Sequence, residues 1–293
     1  MPKPNFFIVG APRCATTSMY TYLKQHPGIF LSLLKEPIYF GSDLTRQPLA
    51  VGDEASYLSL FDGAGDAKVV GEGSVFYIMS RTAPAELKAF SPDARILIML
   101  REPVAMMHSL HSLYLRTGNE DLEDFSAALD AEPERARGQR LPPRCYFPEG
   151  LQYRSVARYA EPVERFLRTF GRERVHIVIF DDLVKDVRRE YRRTLEFLGV
   201  DPEHTPEFDE ARATALIRPL VLRQMRAATP EIRARLKTGR DSHLGTKSQR
   251  LSPGARERVC AELLPDVERL SALLDRDLTH WCRPSHPGPE ARP

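Results

Sequence analysis

Short apolar runs alternate along this chain with longer stretches whose apolar residues recur every three or four positions. The runs Phe6–Val9, Ile29–Leu31, Lys68–Gly71, Ile96–Leu100 and Val175–Phe180 are short and apolar, the pattern of strands covered on both faces in a parallel sheet. Between them, Thr17–Gln25, Glu54–Phe61, Pro84–Phe90, Pro103–Thr117, Val156–Phe170 and Val187–Leu198 read as helices. This alternation predicts βαβ units, hence an α/β fold with a doubly wound central parallel sheet flanked by helices. After Gly199 strand signals stop. Two long helical stretches, around Leu220–Leu236 and Ala255–Leu274, are expected to form a helical C-terminal part that caps the sheet. Asn119–Gly150 is more polar and Pro/Arg-rich, with a short helix expected at Phe125–Ala131, and reads as an excursion from the sheet. Residues 1–283 are taken as one domain, and the proline-rich residues 284–293 as a disordered tail.

Composition narrows this picture only a little. A chain of 293 residues can bury a sizeable core. Its formal net charge of +2 points neither to non-specific nucleic-acid binding nor to a strongly acidic partner. Arginine outnumbers lysine by 34 to 8, which we read as the codon bias of a GC-rich, bacterial genome. The four cysteines, Cys14, Cys145, Cys260 and Cys282, lack CxxC spacing, so neither a zinc site nor a disulfide framework is expected. No charged leader and no membrane-length apolar run is visible, so a soluble cytoplasmic protein is expected.

The chemistry begins in "NFFIVGAPRCATTSMYTYL", Asn5–Leu23. An apolar run enters a glycine turn and a helix leaves it, the order of a phosphate-cradling P-loop. In a loop of the form GxxxxGK[ST] the lysine reaches the β/γ-phosphates and the hydroxyl binds magnesium. With Gly10 as the first glycine, Ala15 takes the second, Thr16 stands where lysine belongs, and Thr17 takes the hydroxyl position. Loop amides, a helix N-terminus and two hydroxyls remain for an anion. The γ-phosphate lysine is gone, and the nearest cation is Arg13. On its own this reads equally well as a turn carrying a surface arginine, and Cys14 as a small space-filling thiol.

The stretch "FFIVGAPRCATTSMYTYLKQHPGIFLSLLKEPIYF" resembles the N-terminus of the sulfotransferases that use 3′-phosphoadenosine-5′-phosphosulfate (PAPS), and the bacterial and carbohydrate-type branches most of all. The resemblance implies a P-loop-like sheet whose loop, Arg13, Cys14, Ala15, Thr16, Thr17 and Ser18, holds the 5′-phosphosulfate, with Arg13 on the bond to be broken. It also implies an Arg at the end of a strand and a Ser eight residues on for the donor's 3′-phosphate; "ILIMLREPVAMMHSLHSLYL" supplies Arg101 and Ser109. Bidentate Arg–phosphate bonds contribute about 1.5–3 kcal/mol each. The other reading of Arg101 is an ion pair with Glu102 or Glu72. Similarity continues through "KVVGEGSVFYIMS", "LQYRSVARYAEPVERFLRTFGRERVHIVIFDDL" and "EYRRTLEFLGVD", covering roughly residues 5–202. In the second of these stretches Asp181 and Asp182 read as architectural, capping the turn after a strand. One departure is Ala15, where the family usually has Gly; if that site needs φ > 0, the methyl costs about 1 kcal/mol.

The general base implied by the carbohydrate-type motif in "LLKEPIYF" is Glu36, beside Lys35, although a solvated Lys–Glu pair would look the same. Many bacterial relatives have His after the proline, where this chain has Ile38. His108 and His111, which flank Ser109, are the other candidate bases, and of the two His108 joins Arg13 and Glu36 in the catalytic set. Lys35, Tyr39, Phe40, Phe76 and Tyr77 are candidates for the acceptor cleft; the aromatic ones read equally well as core. Arg240, Lys247 and Arg250 stand in a basic loop, residues 237–253, that either closes over the donor or is simply solvated. The resulting expectation is sulfuryl transfer from PAPS to a hydroxyl, or less readily an amine, of a small-molecule, lipid or carbohydrate acceptor. It releases adenosine 3′,5′-bisphosphate (PAP) and needs no metal. The rivals are a small-metabolite kinase and a non-catalytic nucleotide-binding protein on a degenerate scaffold.

Overall fold

The computed structural model describes residues 2–45, 47, 50–209, 212 and 251–283. The expected helix at 220–236, the basic loop with Arg240, Lys247 and Arg250, and the tail at 284–293 lie outside the described residues. Five strands form the sheet: β1 (Phe6–Gly10), β2 (Ile29–Leu31), β3 (Val69–Gly73), β4 (Arg95–Leu100) and β5 (Val175–Ile179). Every pairing is parallel and the order is β2-β3-β1-β4-β5. From β1 the chain passes to the edge strand β2, returns to β3 beside β1, and then crosses to the other side of β1 for β4 and β5. The reversal opens a crevice at the carboxyl ends of β1 and β4, where ligands bind in such sheets.

The helices are α1 (Thr16–Leu23), α2 (Glu54–Ser59), α3 (Ala83–Phe90), α4 (Pro103–Thr117), α5 (Phe125–Asp130), α6 (Glu132–Arg135), α7 (Tyr153–Val156), α8 (Ala160–Phe170), α9 (Phe180–Lys185), α10 (Val187–Leu198) and α11 (Pro253–Leu274). Strands β1, β2 and β3 are buried at every position, as apolar runs without alternation demand when helices cover both faces. No described helix is long and apolar enough to cross a membrane.

Two expectations are corrected. The helix read over Val156–Phe170 is broken, because α7 ends at Val156 and α8 starts at Ala160. The cause is distant in sequence. The Asp266 carboxylate on α11 accepts the amides of Tyr159 (2.8 Å) and Ala160 (3.3 Å), and so caps α8 from outside. The apolar run read through Phe180 stops at Ile179, and Phe180 opens α9. Asp181 and Asp182 are not its caps. Asp182 pairs with Arg276, and Asp181 accepts the indole N–H of Trp281 at 2.8 Å. These two carboxylates tie Arg276 and Trp281 to α9.

The excursion at 119–150 is anchored by a buried pair. Both terminal guanidinium nitrogens of Arg135 donate to Glu120 at 2.6 Å, and the Tyr153 hydroxyl adds a third bond at 2.9 Å. Neither charged side chain has any exposure. The Asn119 side-chain oxygen accepts the amides of Tyr146 and Phe147, closing the excursion back on the end of α4.

Candidate functional site

Strand β1 delivers the chain into the glycine turn. At Gly10 an added Cβ would lie 2.6 Å from the Ile78 side chain, so only glycine lets the loop leave the sheet there. Arg13 and Ala15 both adopt left-handed backbone with φ 62°. Ala15 is the N-cap of α1 and offers no side-chain cap. The positive φ that would make alanine costly is thus present, at about 1–2 kcal/mol. Thr16 is buried and Thr17 is exposed at the opening of α1. The Cys14 side chain is fully buried, its thiol donating to the Pro12 carbonyl at 3.3 Å. Burial pushes that thiol up to about 12, so it stays protonated and unreactive at neutral pH.

Strand β4 ends beside β1 and supplies the second group. Arg101 follows it and lies over the ring of Phe180, the first residue of α9, at 4.4 Å from guanidinium carbon to ring centroid. Glu102 is the N-cap of α4, accepting the amides of Val104 (3.0 Å) and Ala105 (2.6 Å). It also pairs with Arg256 of α11 at 3.3 Å. None of these bonds is to Arg101. Pro103 occupies the first helical position, where its missing N–H costs nothing. Two turns on, Ser109 accepts a hydrogen bond from Arg13 Nε at 3.0 Å. The loop arginine and the helix serine, 96 positions apart, therefore touch.

These groups line a cavity of about 560 Å3 with Arg101, Glu102, His108, Ser112, Arg116, Phe125, Leu251 and Arg256. Among the described residues, four guanidinium groups and one carboxylate line it. Burial lowers the pKa of Arg13, and the neighbouring charges of Arg116 and Arg101 lower it further. A neutral ligand gains little from such a lining, whereas a polyanion relieves the mutual repulsion. The residues present fit a nucleotide carrying two phosphate groups.

Glu36 stands on the other side of the loop, outside the lining of this cavity. It follows β2 with φ 64°, and Ile38 follows at φ 46°. That conformation is unusual for any residue and most of all for a β-branched one. The segment after β3 imposes it. The amide of Glu36 donates to the Gly73 carbonyl (2.9 Å), and its carboxylate accepts from Val75 N–H (2.8 Å) and Lys35 Nζ (2.5 Å). Ser74 Oγ accepts the Ile38 amide, and the Tyr77 hydroxyl accepts the amides of Tyr39 and Phe40. Behind them Glu72, with no exposure, accepts from Ser74 Oγ at 2.8 Å and weakly from the Tyr57 hydroxyl at 3.4 Å. Burial pushes the Glu72 carboxyl up to about 8.

The fold thus brings Arg13, Arg101, His108 and Ser109 to one cavity and puts Lys35 and Glu36 across the loop from it. His111 is fully buried and its Nε2 bonds the Leu122 carbonyl at 2.7 Å, with its pKa lowered by burial. Tyr77 has no exposure, Phe40 and Phe76 have 9% or less, and only Tyr39 is half-buried. Phe40 and Tyr39 pack with Tyr57 and Phe90, and Phe76 packs on Phe147. Sequence reasoning missed Ser112, Arg116 and Arg256. The first two were legible, because Ser109, Ser112 and Arg116 stand at i, i+3 and i+7 on one helical stripe. Arg256 reaches the cavity from α11, and nothing local in the sequence signals that.

Comparison with known proteins agrees with this geometry. Residues 3–255 match the model of the sulfotransferase domain family. Carbohydrate sulfotransferase 15 of Rattus norvegicus is 26% identical over 68% of this chain and 44% of its own length. Heparan sulfate glucosamine 3-O-sulfotransferase 6 of Homo sapiens is 26% identical over 67% of this chain and 52% of its own. The chain therefore spans about half the length of these curated relatives. The crystal structure of a sulfotransferase from Alicyclobacillus acidocaldarius superposes with a TM-score of 0.76 at 32% identity, covering 97% of this chain and all of that one. With the cationic crevice at the β1/β4 reversal and a family match across most of its length, the chain belongs to the sulfotransferase domain family.

Proposed function

We propose that this protein binds PAPS in the arginine-lined cavity and catalyses sulfuryl transfer to a hydroxyl of a carbohydrate-type acceptor, with PAP as the product. The observation that carries the reading is the convergence of Arg13, from the loop after β1, with Arg101 and Ser109, from β4 and α4, in one crevice. PAPS supplies the sulfuryl group and the leaving phosphate. The loop amides, together with Thr16 and Thr17, hold the 5′ side, Arg101 and Ser109 hold the 3′-phosphate, and Arg13, already beside Ser109, faces the bridging oxygen. Charge developing on a leaving phosphate is stabilised most by cations already in place. The acceptor class follows from the carbohydrate relatives named above.

Glu36 is assigned as general base. It lies on the β3 side of the loop while the 3′-phosphate site lies on the β4 side, so base and donor anchor flank the reacting bond. In-line transfer requires that arrangement. Calorimetry tests the donor. PAP should bind at least about tenfold more tightly than AMP, the value of one charge-assisted phosphate contact, and Arg101→Ala should erase the difference. Equal affinity of the wild-type protein for the two overturns the donor assignment. With a confirmed acceptor, Glu36→Gln should lower kcat by about a hundredfold or more while leaving PAP affinity intact. An unchanged kcat removes Glu36 from the mechanism.

A further inference from the structure

The segment after β3 braces Glu36 from one side, and a second brace reaches it from the helix of the donor loop. Thr16, Tyr20 and Lys24 stand four residues apart on one stripe of α1, which starts at that loop and has Lys24 as its C-cap. All three are buried. The Tyr20 hydroxyl donates to the Ser32 carbonyl at 2.6 Å, and Lys24 Nζ donates to the same oxygen at 3.2 Å. Ser32 itself has no exposure. Its amide donates to the Gly71 carbonyl at 3.0 Å and its hydroxyl to the Leu34 carbonyl at 2.8 Å. The segment carrying Lys35 and Glu36 therefore leaves β2 from a residue that α1 holds. The Tyr20 ring also lies against Gly73, where an added Cβ would be 3.3 Å from it, and the Gly73 carbonyl accepts the Glu36 amide.

Resting on the donor and base readings above, we propose that Tyr20 is a positioning residue that couples the donor loop to the general base. Nucleotide bound at the loop fixes α1, and α1, through the Tyr20 hydroxyl, fixes the segment 32–38 that carries Glu36. The backbone shows why a tie is needed. Glu36 at φ 64° and Ile38 at φ 46° hold a conformation that non-glycine residues leave unless bonds retain them. The bonds from Gly73, Ser74 and Val75 come from the β3 side. The Tyr20 bond comes instead from a helix whose first turn contains Thr16, one turn before Tyr20, so it is the one that responds when the loop is occupied. Phenylalanine would fill the same buried space, so the coupling depends on the hydroxyl alone.

Amide hydrogen exchange read by mass spectrometry tests this with PAP as the probe, and no acceptor is required. In the wild-type protein, saturating PAP should slow exchange in residues 11–18 and also in residues 32–38, the latter by about threefold or more. In Tyr20→Phe, PAP should bind within about threefold of wild-type affinity and still slow residues 11–18, while the slowing of 32–38 falls below about 1.5-fold. The retained slowing of 11–18, with a thermal melt, establishes that the variant is folded. A merely structural loosening would raise exchange with and without PAP and leave the ratio between them unchanged. That unchanged ratio in Tyr20→Phe, or a wild-type segment 32–38 indifferent to bound PAP, overturns the coupling and leaves the donor reading standing. A wild-type protein that binds PAP no more tightly than AMP overturns both. The exchange measurement does not depend on whether Glu36 takes the proton, which Glu36→Gln tests separately.

Discussion

Ala15 is one of the residues read as departing from the family pattern, and its backbone makes the departure costly. At φ 62° the methyl group meets the carbonyl that glycine would avoid. Ala15→Gly removes about 1–2 kcal/mol of strain but adds about 0.5–1 kcal/mol of unfolded-state entropy. The expected outcome is a gain of about 0.5–1 kcal/mol in denaturant unfolding; a loss of stability would show that the loop is relaxed around alanine. Glu72 is the second residue with a measurable signature. Its folded pKa, about 8, lies above the ordinary glutamate value of 4.5 because it is buried. The folded state therefore binds the extra proton, and the stability this contributes is fully present below about pH 4.5 and lost as pH rises through 8. Glu72→Gln cannot ionise, so its melting temperature relative to wild type should rise steadily between pH 5 and 8. A flat difference over that range would mean that the carboxyl is already ionised inside the fold.

At the scale of elements, the segment after β3 acts as a template for the segment after β2. Ser74 and Tyr77 present acceptors to the amides of Ile38, Tyr39 and Phe40, and Val75 presents its N–H to the Glu36 carboxylate. The left-handed backbone at Glu36 and Ile38 is held by these bonds. This explains why the stretch "GEGSVFY" matters although none of its side chains lines the cavity. Tyr77→Phe removes the oxygen that accepts two amides and should destabilise the protein by about 1–3 kcal/mol. If Glu36 depends on that template, kcat should fall in this variant with little change in PAP affinity; equal loss of both would point to general loosening. The β3 motif was readable from sequence as a family likeness. Its bonds to the β2 loop were not, since they join residues 36 to 39 positions apart across neighbouring strands.

At the scale of the whole molecule, long-range charges hold the peripheral parts to the sheet. Arg135 and Glu120 are both without exposure, so removing one leaves the other charged and unpaired. Arg135→Ala should cost about 3–5 kcal/mol, visible as a lowered chemical midpoint; a cost below about 1 kcal/mol would mean that water enters the site. Asp181 and Asp182 bind Trp281 and Arg276, Asp266 of α11 binds the amides that open α8, and Arg256 of α11 enters the cavity beside Glu102. A helix remote in sequence thus completes the site.

A family resemblance picked out Arg13, Arg101 and Ser109, and residue patterns alone determined the five strands, their alternation with helices and the start of α4 at Pro103. Each of these depends on apolar periodicity, a turn residue or a spacing within a few helical turns, and such terms act locally. Only the tertiary structure decided that α8 begins at Ala160, that Asp181 and Asp182 bind Trp281 and Arg276 instead of capping a turn, and that Arg256 faces the cavity. It also decided that Tyr77 is buried and serves Tyr39 and Phe40 through its hydroxyl. Those outcomes depend on which polar groups meet when α11 and the loops after β2 and β3 pack against the sheet. A buried donor or charge takes whatever partner the packing brings within reach, and that partner is as often a hundred residues away as three.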